Sequence, residues 1–381
     1  MLRRYHLIPD LALLAVGLLI QMDLSRRALG TPAFKPLIRR LALVGANLGM
    51  AALLVAGYLT TFRRVWKYMP SPFAQWLGAV NIITCMGLVG VYLGFMVWRQ
   101  APKYQPPRRK FLQAAGASLA AAPFIGTSLG ILSSHNIGLN EVKIRIPNLP
   151  KDLDGLRLVQ ITDIHLGPFF SDKELAWAVD MANETKAHVA LVTGDLISRT
   201  GDPLDSCMRQ LARLRAEAGV LGCLGNHEIY TKTEDYVTEQ AKLTGIEILR
   251  RQARLFRFGK ASINFAGVDY QEFKRPYLVG TESLLAPDSA NILLSHNPDV
   301  FPVAALQGYD LTLAGHTHGG QVNFEILHQG LNIARYYTPY VRGLYRMDKS
   351  SVYVSNGLGT IGVPVRLGAP PEVSLLRLCA I

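Results

Sequence analysis

Tyr309-Asp310-Leu311-Thr312-Leu313-Ala314, followed by Gly315-His316-Thr317-His318-Gly319-Gly320-Gln321, is the stretch on which the reading of this chain turns. Its first six residues read as a buried strand that ends in a glycine turn. Two histidines one residue apart and flanked by glycines can aim their imidazoles at neighbouring points, because glycine lets the backbone pass close by. Four more apolar runs end in the same way. Residues 156–162 lead into Asp163-Ile164-His165, and 188–193 into Gly194-Asp195. Residues 220–224 lead into Gly225-Asn226-His227-Glu228, and 291–294 into Ser295-His296-Asn297. Strand-end loops thus repeatedly carry Asp, His or Asn, the ligand types of a hydrolytic site for divalent metals. A carboxylate has two oxygens and can bridge two cations, while neutral histidines and an asparagine oxygen complete the shells without excess negative charge.

The ordered set Asp163-x-His165, Gly194-Asp195, Gly225-Asn226-His227-Glu228, His296 and Gly315-His316-x-His318 resembles the calcineurin-like metallophosphoesterases, over roughly residues 156–320. The tail, Gly357-Leu358-Gly359-Thr360 to Arg366 and then Pro371-Glu372, is similar to the membrane-attached bacterial branch of that superfamily. The resemblance implies two divalent metal ions, of Mn, Fe, Zn, Co or Mg. Asp163, His165, Asp195 and His318 would hold one; Asp195, Asn226, His296 and His316 would hold the other, with Asp195 bridging. A hydroxide bridging such a pair would attack a phosphodiester or pyrophosphate in line, and the leaving oxygen would need a proton. His227 occupies the position the family uses near the leaving group and is assigned as general acid, a role suited to a side chain that titrates near neutrality. Many relatives have a second aspartate three residues after the bridging one, which orients this histidine. Here that position is Ser198, so either Asp202 substitutes from the same loop or the orienting residue is absent. Glu228 is read as a structural partner rather than a catalyst.

The resemblance implies an α/β fold, a four-layer sandwich of two mixed β-sheets flanked by helices, and the residue pattern agrees with it. Residues 141–146 alternate as an edge strand would, and helical patterns at 172–186, 204–218 and 234–243 alternate with the strand runs. A short helix at 302–306 precedes the His-Thr-His strand, and 246–268 is strand-like without intervening helices.

The N-terminal region differs in kind. Residues 41–62, 73–98 and 111–132 are uncharged runs, and 7–24 is apolar apart from Asp10, Gln21 and Asp23. Runs of this length can cross ~30 Å of hydrocarbon. The expected organisation is a helical membrane region over 1–133, with about four transmembrane helices, and a metallophosphoesterase domain over 140–381. Segments 25–40 and 99–110 carry ten Lys/Arg, against five for Arg3, Arg4, Arg63, Arg64 and Lys67. The positive-inside tendency then puts the first set in the cytoplasm and the C-terminal domain outside it. Arg108-Arg109-Lys110-Phe111-Leu112 also resembles a twin-arginine export motif, or is the ordinary basic flank of a membrane helix. The location expected from both is a bacterial cytoplasmic membrane, with the catalytic domain extracytoplasmic.

The net charge of +12 is local to this region. Residues 1–110 hold fifteen Lys/Arg against Asp10 and Asp23, a balance of +13, and the remaining twenty-five Lys/Arg face twenty-six Asp/Glu. The C-terminal domain therefore carries no global nucleic-acid signature. Cys85, Cys207, Cys223 and Cys379 show no paired or CxxC spacing. Substrate cues are a basic-aromatic cluster (Arg335, Tyr336, Tyr337, Tyr340, Arg342, Tyr345, Arg346), which is equally a packed surface loop, and Arg366 as an anion contact. Placement at a bilayer suggests an envelope or lipid-linked substrate, such as the UDP-diacylglucosamine that some relatives cleave. Soluble nucleotide-type phosphodiesters and a non-catalytic metal-binding sensory module are the alternatives.

Overall fold

A computed structural model describes residues 3–60, 69–272, 276–326 and 329–381. Met1–Gly130 with Gly362–Pro364 form one compact unit, and Ile131–Ile361 with Val365–Ile381 form a second.

The first unit is helical: α1 (Arg3–Leu29), α2 (Leu37–Leu59), α3 (Ser71–Trp98) and residues 106–130 of α4 (Pro106–Ser134). Among the described residues, α2, α3 and α4 are long and apolar enough to cross a membrane. α1 is of similar length but carries Asp10, Asp23, Arg26 and Arg27, and an Asp23–Arg27 pair at 2.6 Å spans one of its turns. Small and amide side chains bring these helices together, as is usual where apolar surface alone gives no driving force. Asn81 donates to the carbonyl of Leu54 at 2.5 Å, and Gln21 donates to Asn47 Oδ1 at 3.0 Å. Gly94 and Gly116 face each other so closely that a Cβ on either would strike the other's carbonyl. Phe62, Arg63, Arg64 and Lys67 lie outside the described residues.

The second unit is built on two six-stranded mixed sheets. Its strands are β1 (Gly138–Ile146), β2 (Arg157–Ile161), β3 (Val189–Val192), β4 (Gly219–Gly222), β5 (Ile246–Ile248), β6 (Gln252–Phe258), β7 (Ala261–Gly267), β8 (Ser289–Leu294), β9 (Leu311–Ala314), β10 (Asn323–Ile326), β11 (Gln329–Asn332), β12 (Gly343–Met347), β13 (Ser350–Val354) and β14 (Glu372–Ala380). The first sheet runs β1-β14-β2-β3-β4-β5 and the second β12-β13-β9-β8-β7-β6, while β10 and β11 form a separate hairpin. Each sheet contains a run of four parallel strands, β2 to β5 in one and β7, β8, β9 and β13 in the other. Their carboxyl ends therefore all face one edge.

Period-two alternation builds the layers. Leu158, Leu191, Leu221, Ile292, Leu311 and Leu313 point into the core between the sheets. Val159, Ile161, Ala190, Val192 and Val220 point the other way, onto α5 (Asp172–Glu184), α6 (Leu204–Leu211) and α8 (Glu234–Leu243). α7 (Asn226–Thr231) follows β4, and α9 (Phe301–Gln307) covers the outer face of the second sheet. The expected four layers are present. The predicted helix over 204–218 stops at Leu211, because the chain beyond it is drawn alongside β3. Glu217 and Ala218 donate their amides to the carbonyls of Ala187 and His188.

At the carboxyl edge the sheets are tied by buried Gln160. Its amide donates to Thr193 Oγ1 at 2.8 Å within the first sheet and to the carbonyl of Ala314 at 3.1 Å in the second. Asp163 and His165 donate their amides to the carbonyls of Gly194 and Asp195, and Gly315 donates to His296. The strand-end loops are thus strapped pairwise at the edge where the chemistry-bearing residues emerge.

Candidate metal centre

All the residues singled out on the strand-end loops meet at this edge. Asp163, Asp195 and Asn226 follow β2, β3 and β4 of the first sheet; His296, His316 and His318 follow β8 and β9 of the second. Asp163, His165 and His318 present ligand atoms within 4.8 Å of one another, as do Asp195, His296 and His316. Asp195 also belongs to a third such group with His165 and His227.

The distances show a tight pocket. His165 Nε2 and His318 Nε2 lie 3.1 Å apart, His296 Nε2 is 3.0 Å from Asp195 Oδ2, and His318 Nε2 is 3.4 Å from Asp163 Oδ1. Asp163, His165, Asp195, His316 and His318 all adopt positive φ. This left-handed backbone is costly for side-chain-bearing residues and tends to persist at sites the surrounding structure over-determines. Gly315 and Gly225 make the crowding tolerable, since a Cβ on either would collide with the carboxylate of Asp163 or Asp195.

The back of each imidazole is held. His296 Nδ1 donates to the carbonyl of Thr193 at 2.7 Å, which turns Nε2 into the pocket. His165 Nδ1 pairs with Ser198 Oγ at 3.0 Å. His227 Nδ1 donates to the carbonyl of Ser198 at 2.7 Å, and its amide donates to Asp195 Oδ1 at 2.8 Å. Ser198 therefore supplies the orientation the sequence left open: its carbonyl holds His227 and its hydroxyl holds His165. Asp202 acts one step back, accepting from the amides of Ser198 and Arg199 at 3.1 and 2.8 Å. Glu228, fully buried, accepts from the amides of Asp195, Leu196 and Gly225 at 2.9, 2.8 and 2.7 Å, which fits a structural partner.

Electrostatics put three of the imidazoles in ligating form. Burial pushes His165 and His316 down to about 3 and His318 well below its usual value, so these imidazoles are neutral. Burial, with repulsion from Asp195, raises Asp163 to about 6. Burial alone would lower His296, but the carboxylates of Asp195 and Asp163 outweigh it and hold it at about 10. His296 also holds Asp195 well below the usual carboxylate range against the opposing effect of burial.

Two atoms test whether the pocket suits cations. Asn226 Oδ1 is buried without a hydrogen-bond partner, and His296 Nε2 is buried with Asp195 Oδ2 3.0 Å away. Unpartnered buried polar atoms are costly. Asn226 sits next to His227, whose amide donates to Asp195, so an amide oxygen joins the carboxylates and imidazoles, which is the donor set of a divalent-metal site.

Tyr270 was not anticipated. It is 5% exposed, and its hydroxyl lies 3.5 Å from His316 Nε2. The signal was available, since Tyr270 follows β7 at the same sheet edge, but a tyrosine does not announce itself as a ligand. Arg366 is a correction: it is fully buried, with its guanidinium turned onto backbone carbonyls, and is not an anion contact on the surface. The basic-aromatic cluster divides. Phe301, Tyr340 and Tyr345 stack edge to face, with centroids 5.5 and 5.3 Å apart, whereas Arg335, Tyr336 and Tyr337 are exposed.

Comparison with known proteins gives consistent relatives. The family model for calcineurin-like phosphoesterases matches residues 156–320. The chain is 30% identical over 278 residues to the uncharacterised metallophosphoesterase YkuE of Bacillus subtilis, covering 71% of this chain and 97% of that protein. It is 33% identical over 251 residues to the transmembrane protein with metallophosphoesterase domain of Danio rerio, covering 62% of this chain and 56% of the other. It is 32% identical over 246 residues to the uncharacterised metallophosphoesterase Cj0846 of Campylobacter jejuni, covering 63% of each chain.

Proposed function

Because the chain belongs to the calcineurin-like metallophosphoesterases and is a metal-dependent phosphoester hydrolase using two divalent ions, we propose that it cleaves a phosphodiester or pyrophosphate in an envelope or lipid-linked substrate, a UDP-diacylglucosamine being one such molecule. The observation that carries the site assignment is the convergence of Asp163, His165, Asp195, His296, His316 and His318 from both sheets, with the Oδ1 of Asn226, on the loop after β4, buried and unpartnered. Asp163, His165 and His318 would hold one ion, Asn226, His296 and His316 the other, and Asp195 both. When bound, such ions acidify water and neutralise charge on the phosphoryl oxygens.

The chain's own residues supply the rest. His227, oriented by the Ser198 carbonyl, keeps its Nε2 free to deliver a proton to the leaving oxygen. Ser198, Thr193 and Glu228 fix the loops, so little reorganisation accompanies the reaction.

The lipid-linked reading is supported by the three helices long and apolar enough to cross a membrane. We place residues 1–133 as a membrane region with about four spans, 140–381 as the catalytic domain, and that domain outside the cytoplasm of a bacterial cell. Soluble nucleotide-type phosphodiesters are the second substrate class. The test is the full chain in detergent, stripped of metal and assayed with each divalent ion restored. Substrates would be an aryl phosphodiester, a nucleotide phosphodiester and a lipid-linked pyrophosphate, with Asp195→Asn as control. Turnover of the lipid-linked pyrophosphate well above the nucleotide supports the proposal; the reverse preference overturns the lipid-linked assignment. Metal binding without turnover of any of them favours a sensory module.

A further inference from the structure

Arg366 is a fully buried cation most of whose hydrogen bonds go to backbone carbonyls. Nη1 donates to Asn356, His318 and Ala369 at 2.8, 3.0 and 3.2 Å. Nε donates to Gly359 at 3.1 Å, and Nη2 contacts Gly359 and Gly357. Nη2 also lies 3.3 Å from His318 Nδ1, whose own carbonyl neighbour is Gly359 at 3.4 Å. Burying a charge in this way is expensive unless its hydrogen bonds are met, and a planar guanidinium fork meets several carbonyls at once where an ammonium cannot. Desolvation lowers Arg366 to about 10, so it stays charged.

These bonds join two separate pieces of chain. One is the His-Thr-His turn after β9; the other is the Asn356–Gly359 loop after β13. That loop is strapped to the other ligands, since Leu358 and Gly359 donate their amides to Thr162 and Asp163. It is held from the far side by buried Glu372, which accepts from Asn356 and Ser355. We propose that Arg366 is a positioning residue for His318. By fixing the Gly359 carbonyl and the His318 backbone together, and by lying against Nδ1, it sets the orientation of the His318 ring and so aims Nε2 at Asp163. Histidine ligands depend on such a fixed partner for their free nitrogen, and removing one typically costs 10–100-fold in metal affinity.

The inference rests on the ligand assignment above, and the experiment separates the two. Full chain in detergent is titrated with Mn²⁺ by calorimetry and followed by electron paramagnetic resonance, for the unchanged protein and for Arg366→Lys. The lysine keeps the charge and loses the fork. The unchanged protein should bind two ions and show the exchange-coupled signal of a Mn pair. The variant should keep one affinity and lose the other by about tenfold or more, with the coupled signal replaced by that of isolated Mn. A cooperative melt of the metal-free variant reports folding separately. Two unchanged affinities with an intact coupled signal would overturn the proposal, as would a variant that fails to fold, which would make Arg366 a determinant of the fold instead. No binding by the unchanged protein would overturn the ligand assignment itself, and this inference with it.

Discussion

Metal binding should expel a proton from His296, and the pocket's electrostatics set how many. In the metal-free protein Asp195 and Asp163 hold the His296 imidazolium at about 10, so it is almost fully charged at pH 8. Only the neutral imidazole ligates, so occupation of its site must release that proton. His165 and His316, at about 3, have none to release at this pH. The expected release at pH 8 is about one proton, with apparent affinity rising about tenfold per pH unit from roughly 7 to 9 and levelling above about 10. Near pH 6 the count should climb toward about one and a half, because Asp163 is then half protonated. In the metal-free fold the same contact contributes stability that is full below the unfolded histidine pKa and is lost as pH rises through about 10. Calorimetry of Zn²⁺ or Mn²⁺ binding in buffers of different ionisation enthalpy gives the count as a slope. His296→Gln should remove about one released proton along with one ion. Release near zero with affinity independent of pH would show that His296 is neutral before metal arrives, and the reasoning from its two carboxylates would fail.

Three further outcomes follow from the geometry. Glu228→Ala strands the buried amides of Asp195, Leu196 and Gly225; it should destabilise the domain by about 3–5 kcal/mol, read by chemical unfolding of the metal-free protein. His227→Ala should leave two-metal binding intact and lower kcat by about 10²–10⁴ for poor leaving groups, with a much smaller effect on a nitrophenyl ester that needs no proton; an equal loss on both would remove His227 from the acid role. Ser198→Ala keeps the carbonyl that orients His227 but loses the hydroxyl against His165 Nδ1, so the affinity of the ion held by His165 should fall about tenfold while the leaving-group dependence stays unchanged.

The sequence by itself determined the reaction class, because the ligand types at strand ends are a local signal. A buried strand reads as an apolar run, a turn as glycine, and the residues just after the turn are quoted directly by their identities. The same locality made α8 legible over Glu234–Leu243 and placed α5 to within two residues. Tertiary structure alone decided what has no local signature. Residues 246–268 read as one strand-like rhythm, yet β5 joins the first sheet and β6 the second, the chain crossing at 249–251 with Arg251 at φ 54°. β14 lies between β1 and β2, antiparallel to β2, a pairing across more than two hundred residues that no period can encode. The roles of Ser198 and Arg366 are of this kind too. Ser198 orients His227 through a carbonyl, which every residue carries, and Arg366 is a charge whose burial depends on five carbonyls, four of them brought together from two loops. Side-chain identity announces which chemistry a chain can perform. Which backbone oxygens hold those side chains in place is decided only when distant segments meet.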